Sequence, residues 1–293
     1  MFPRLEAEIL VRKLFWLTVF LLLSLTAGAH PGVGMVMDSR GNVYYTDLKH
    51  VWKIAPDGTK SIAVPNVHTH ELCLDAHDNL YGEHLWYEGD ATKKWGHRVW
   101  RLSPDGTLAD VIPAREGFLQ NYSFVRDRAG NMYWADRRRR TVIRKHAPDG
   151  RTSDVAPGAD FRDVRWMISS PEGVLYLIDD DHLRRISPDG SVSILARNLK
   201  ERRLGQFFVN DQHTLMGLWL DGQGNVLVAV YGAGLVKKVS ADGRVTVVAR
   251  SPFPWSPTGG LVAPDGDLWL LEYSLTNAAR VRRIGKDGAI RAY

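Results

Sequence analysis

Imidazole and carboxylate side chains crowd one stretch of the chain: His68, His70 and Glu71, then Glu83 and His84, then Glu88 and His97. At this density such groups can ligate a divalent cation or form a general acid–base pair. In an extended strand alternate side chains share a face. His68 and His70 therefore point together while Glu71 points away, and Glu83 and His84 likewise diverge. A pairing of His70 with His84 is allowed, but all seven groups cannot converge. The spacing matches no standard zinc motif. The alternative is a solvated polar rim, or a hydrogen-bond network that pins the segment 85–97.

Other polar groups recur further along: Asn121 with Ser123, Asp163 with Arg162, Arg165 and Trp166, and His213 with Thr214. Positive charge gathers at 137–140 and at Lys200, Arg202 and Arg203. Arginine beside aromatic surface suits an anionic or sugar-like ligand. Arg162, Arg165, Trp166 and Trp95 are the expected substrate-binding residues, and His97 or His213 is the expected proton carrier. The four-arginine run 137–140 reads first as a solvated charge run.

Several classes are disfavoured. No G-x-S-x-G elbow and no phosphate-binding glycine loop occurs. A net charge of +5 is too small to argue for a nucleic-acid partner. Cys73 is the only cysteine, so no intrachain disulfide exists. It alternates with apolar neighbours and reads as a small buried hydrophobe.

Arg4, Arg12 and Lys13 precede an apolar run at 14–25, and Ala27-Gly28-Ala29 follows. A basic start, a short apolar stretch and small residues at its end describe a secretory signal over residues 1–29. The apolar run is short for a helix that crosses a bilayer. The expected location is the periplasm or the exterior, with no membrane span after cleavage; a retained anchor is the alternative. Cleavage after Ala29 makes His30 residue one. Its amine and ring nitrogen can chelate copper, and His68 or His70 could complete that site.

These residues need a scaffold, and the sequence supplies one by repetition. Asp-Gly follows a short strand at Asp57-Gly58, Asp105-Gly106, Asp149-Gly150, Asp189-Gly190, Asp242-Gly243 and Asp287-Gly288. A second turn signal lies between strands at Gly41-Asn42, Asp78-Asn79, Gly130-Asn131, Gly173-Val174, Gly224-Asn225 and Gly266-Asp267. Both kinds supply the positive φ of tight hairpins. Four short strands per repeat predict an all-β, six-bladed β-propeller of four-stranded antiparallel blades. Residues 30–293 form its single domain, with blades near 32–65, 68–113, 120–157, 162–197, 213–250 and 257–293. Seven blades is the structural alternative, but a seventh turn pair is missing. No strand from one terminus completes a blade of the other, so closure rests on side-chain packing. Both sets of hairpin turns fall on one face. The crossings between blades and the loops from second to third strand fall on the opposite, variable face, with all the candidate residues above. Glu71 stands where other blades have Gly34, Gly217 and Gly260.

The units resemble NHL repeats. The resemblance lies in Gly34-Met35-Val36-Met37-Asp38 with Gly41-Asn42-Val43-Tyr44-Tyr45-Thr46-Asp47, and in Gly130-Asn131-Met132-Tyr133-Trp134-Ala135-Asp136. It extends over nearly all of 30–293. Similar six-bladed families are the senescence-marker-protein/gluconolactonase-like and strictosidine-synthase-like proteins. Such a resemblance implies fold far more than function. Gluconolactonase-like proteins hold a divalent cation at the channel mouth with acidic and asparagine side chains, which makes Glu71, Asn121 and Asp163 the positional counterparts here. With His68, His70 and His84 they form the expected metal set, for Ca, Zn or Cu. One function that follows is an exported protein binding a polar or anionic small molecule, acting as a metal-dependent lactone or ester hydrolase. Lyase and isomerase chemistry remain open. The other is a non-catalytic binding module for a protein or a cell-envelope polysaccharide.

Overall fold

The computed structural model describes residues 31–119, 122–137, 139–204 and 211–293. It contains six antiparallel sheets in chain order, the blades of a six-bladed propeller. Blade 1 runs from the channel outward through Met35–Met37, Val43–Thr46, His50–Ile54 and Lys60–Pro65. Blade 2 runs through Leu72–Leu74, Leu80–Tyr87, Trp95–Leu102 and Leu108–Glu116. Its second and third strands each have eight residues, against four and five in blade 1, which lifts their hairpin above the variable face. Blade 3 departs from the expected four strands. Its regular part is Met132–Asp136, Val142–His146 and Thr152–Asp154, and its innermost segment contributes only the bridge Arg126↔Met132.

The first turn of each repeat is built from local polar chemistry. Asp38 Oδ1 accepts the amides of Arg40 and Asn42 at 3.0 and 2.8 Å, while Oδ2 accepts Asn42 Nδ2 and the Tyr44 hydroxyl at 2.7 and 3.2 Å. The same carboxylate–amide–phenol arrangement recurs at Asp75, Asn79 and Tyr81 and at Asp127, Asn131 and Tyr133. Gly41 takes φ +80°, a value that glycine reaches without steric cost. The buried Asp38 and the half-buried Asp75 and Asp127 are thus each matched to donors on their own hairpin, as burial of charge requires.

Apolar side chains fill the spaces between blades. One cluster joins blades 5, 6 and 1 through Met216, Trp219, Leu270, Tyr273, Met35 and Tyr45. Others join blades 1 and 2, 3 and 4, and 4 and 5. Among the described residues the ring closes without a shared strand: each sheet holds consecutive strands only. Across that seam Tyr273 Oη donates to the Thr46 carbonyl at 3.0 Å, and Thr258 Oγ1 donates to the Gly32 carbonyl at 2.7 Å. Between blades 2 and 3 the contacts include the Arg126 guanidinium over the rings of Tyr122 and Tyr81, at 5.2 and 6.0 Å.

Candidate functional site at the channel mouth

The register corrects one equivalence. Gly260 pairs with Leu270 as Met35 pairs with Tyr45, so Gly259, not Gly260, corresponds to Gly34 and to Glu71. A Cβ on Gly34 would lie 2.9 Å from the Leu72 amide nitrogen, which shows how closely the inner strands of blades 1 and 2 approach. Glu71 therefore enters the channel at a ring position where blades 1, 5 and 6 present no side chain.

The histidines of blade 2 are held by hydrogen bonds. His84 Nδ1 accepts the amide of His68 at 2.9 Å. Glu83 Oε1 accepts the amide of His70 at 2.6 Å and lies 3.2 Å from its Nδ1. The Thr69 hydroxyl donates to the Glu83 carbonyl at 2.6 Å, and the Thr69 carbonyl accepts from Thr46 Oγ1 at 2.6 Å. The rings of His68 and His70 are 4.8 Å apart. Burial pulls the His68 and His84 pKa values down, helped at His68 by His70 and at His84 by Arg98, so both rings favour the neutral form. His84 stands where blade 1 has Asp47 and blade 4 has Asp179. Asp179 Oδ1 takes the amides of Arg162 and Asp163 at 2.8 and 2.7 Å. The residue ending each of these second strands thus caps backbone amides on the variable face.

A second group of side chains comes together between blades 3, 4 and 5. Arg137, Asp163, Arg165, Trp166, Gln212 and His213 line a recess of about 280 Å³. Arg165 Nε donates to Asp163 Oδ2 at 2.8 Å. Arg137 is anchored on the Val164 carbonyl, with Nε at 3.2 Å. Burial and then the neighbouring Arg165 lower the Arg137 pKa. Two guanidiniums thus face one carboxylate in a partly desolvated space, an arrangement suited to an added anion.

Trp166 also lines the channel below, a cavity of about 220 Å³. Met35, Glu71, Phe124, Met167 and Trp219 form other parts of its wall. Glu71 is half-buried and lines this cavity. Burial, then the nearby Glu83, push its pKa up to about 7, against the opposing influence of His70.

The expected residues therefore divide. Asp163, Arg165, Trp166 and His213 share one recess; Arg162 is exposed beside it, its amide held by Asp179. His68, His70 and His84 form the blade 2 network, with Glu71 beyond it in the channel. His97 Nδ1 lies 2.7 Å from the Gly117 carbonyl, and its ring packs by Trp95 and Phe118 at 5.5 and 6.1 Å on the raised hairpin. His97 and Trp95 are thus placed apart from the recess lining. Asn121, His30 and the leader lie outside the described residues. Among the described residues no three His, Cys, Asp or Glu side chains assemble into a cation-binding group. Arg137 and Gln212 were absent from the expected ligand set. Arg137 directly follows Asp136, the end of a second strand on the variable face, and that was its available signal.

No family model matches the sequence, and no curated protein matches it. Solved structures do. Virginiamycin B lyase from Staphylococcus aureus is 14% identical, over 92% of this chain and 85% of its own, with a TM-score of 0.51. A gluconolactonase from Xanthomonas campestris is 13% identical over 85% of each chain, with a TM-score of 0.54. An auxiliary nutrient binding protein from Bacteroides thetaiotaomicron is 10% identical, over 90% of this chain and 70% of its own, with a TM-score of 0.57. At such identities the likeness shows the propeller fold and leaves the chemistry to the site.

Proposed function

We propose that this is an exported propeller that binds a small molecule at the variable face, with an anionic group of the ligand held between Arg137 and Arg165. The observation that carries this reading is the recess itself, where two guanidiniums, Trp166 and His213 meet around one carboxylate. Arginine forks match carboxylate geometry, and the indole offers a flat face to a sugar or other ring. The signal-like leader supports export. Among the described residues no helix is long and apolar enough to cross a membrane.

Aldonates and aldono-lactones are the first ligands to try, because a propeller of the same fold is a gluconolactonase. Isothermal titration should show binding that R165Q weakens about tenfold or more, with the melting curve unchanged. Equal affinity in R165Q would remove the recess from the reading.

A hydrolytic role is the second reading, favoured by Asp163 and His213 sharing the recess. His213 would take a proton from water as the water oxygen bonds the acyl carbon. The ring C–O bond would then break and its oxygen would receive the proton. H213N should abolish ring opening while sparing binding. Binding without any turnover in the unaltered protein assigns the non-catalytic role.

A further inference from the structure

The recess accounts for one end of a ligand, and the channel offers a different chemistry for the other. Glu71 is a half-buried carboxylate on the wall of a cavity of about 220 Å³. No hydrogen bond or ion pair satisfies it among the described residues. His70 is turned to Glu83, and Glu83 Oε1 is occupied by the amide and ring of His70. The nearest cavity-lining guanidinium in sequence is Arg126 on blade 3. It is exposed, lies toward the turn face and stacks over Tyr122. The cavity wall also carries Trp166, Trp219, Phe124, Met35 and Met167, with Ser169 and Arg126 as its other polar side chains. An unmatched, partly desolvated carboxylate on a cavity walled in part by aromatic rings favours a cation, because ring faces attract positive charge and the carboxylate gains most from an ionised donor. Trp166 is common to the cavity and the recess, which places the two spaces side by side.

We propose that the ligand is bifunctional, with a carboxylate held at Arg137 and Arg165 and an ammonium group held by Glu71 in the channel. This inference rests on the ligand entering at the recess. It narrows the ligand class to amino acids, amino sugar acids or similar zwitterions. The two ends have opposite charge requirements, so simple anions fill only half of the site.

The test is isothermal titration with a graded series of straight-chain ω-amino carboxylates, each set against its parent carboxylate without the amine. The full-length protein, E71Q and R165Q are compared, with calcium and zinc salts as separate titrants. The expected result is that one chain length binds at least about tenfold more tightly than its parent acid. E71Q should erase that preference and leave the parent acid's affinity unchanged. R165Q should weaken both members of each pair. Equal affinity of amine and parent acid throughout the series would overturn the proposal. So would an amine preference that survives in E71Q, or no binding by any member up to about 10 mM. Metal binding that E71Q abolishes, without amine preference, would assign the carboxylate to a cation and overturn it as well. An amine preference lost in E71Q but insensitive to R165Q would keep the channel site and remove the recess, which separates the two failures.

Discussion

One oxygen of Glu83 serves His70 twice: Oε1 accepts the backbone amide at 2.6 Å and sits 3.2 Å from the ring Nδ1. The other oxygen, Oε2, is buried with no partner among the described residues. The side chain thus fixes where the inner strand of blade 2 enters the channel. Its removal leaves a half-buried amide unmatched, at a cost of about 1–3 kcal/mol. E83A should lose about that much stability in urea unfolding, and E83Q, whose amide oxygen still accepts, should lose clearly less. Equal losses in the two variants would assign the effect to volume rather than to the hydrogen bond.

Glu71 carries a pH signature. Burial raises its pKa from 4.5 to about 7, so the folded protein binds this proton more tightly than the unfolded chain does. For a raised carboxyl the stabilising contribution is present below the unfolded value and is lost as pH climbs through the folded one. E71Q should therefore be more stable than the unaltered protein at about pH 8, by up to about 3 kcal/mol, and should match it at about pH 4. Chemical unfolding at the two pH values reads the difference. A constant offset between the proteins would show that Glu71 is not the titrating group.

Glu272 closes a different network, on blade 6. Its fully buried carboxylate takes Arg280 Nε at 2.7 Å, Arg282 at 2.8 Å and the Ser251 hydroxyl at 2.6 Å. Breaking a buried pair by removing one partner costs about 3–5 kcal/mol, because the remaining charge stays desolvated. E272Q should lower stability by an amount in that range. The double variant E272Q/R282M should recover part of it. A double variant less stable than the sum of the single ones would argue against charge as the cause.

The seam between blades 6 and 1 can be probed through its two side-chain hydrogen bonds, from Tyr273 to the Thr46 carbonyl and from Thr258 to the Gly32 carbonyl. Y273F and T258V should each cost about 1 kcal/mol. The amides of 33–36 should exchange with deuterium faster in the double variant, while those of blade 4 stay unchanged. Uniform acceleration around the ring would mean that the seam does not open on its own.

The architecture was legible because its determinants are local. Asp38, Asn42 and Tyr44 meet within six positions of one another, and that spacing recurs in plain sight. The face that gathers the departures from the repeat could also be read, since strand alternation and turn type assign it. What could not be read was partnership across blades. Arg137, Asp163 and His213 come from three blades, and only side-chain placement decides that they share a recess. The blade 2 histidines show the same limit from the other side. An imidazole that ligates and one that caps an amide look alike in a sequence, and His84 is a cap in this fold because the His68 amide lies 2.9 Å from its Nδ1. Blade 3 escaped for a further reason: its inner segment has the expected residues but keeps a single bridge to its neighbour.

Since no sheet among the described residues borrows a strand from a distant part of the chain, each blade is one uninterrupted stretch of polypeptide. The order in which the blades are written in the gene is therefore separable from their order in space. Joining Tyr293 to Pro31 through a short added linker and opening the chain at the Asn66 crossing would keep the strands of each blade contiguous. Such a circular permutant should fold to the same ring, with blade 2 rather than blade 1 as the first to leave the ribosome.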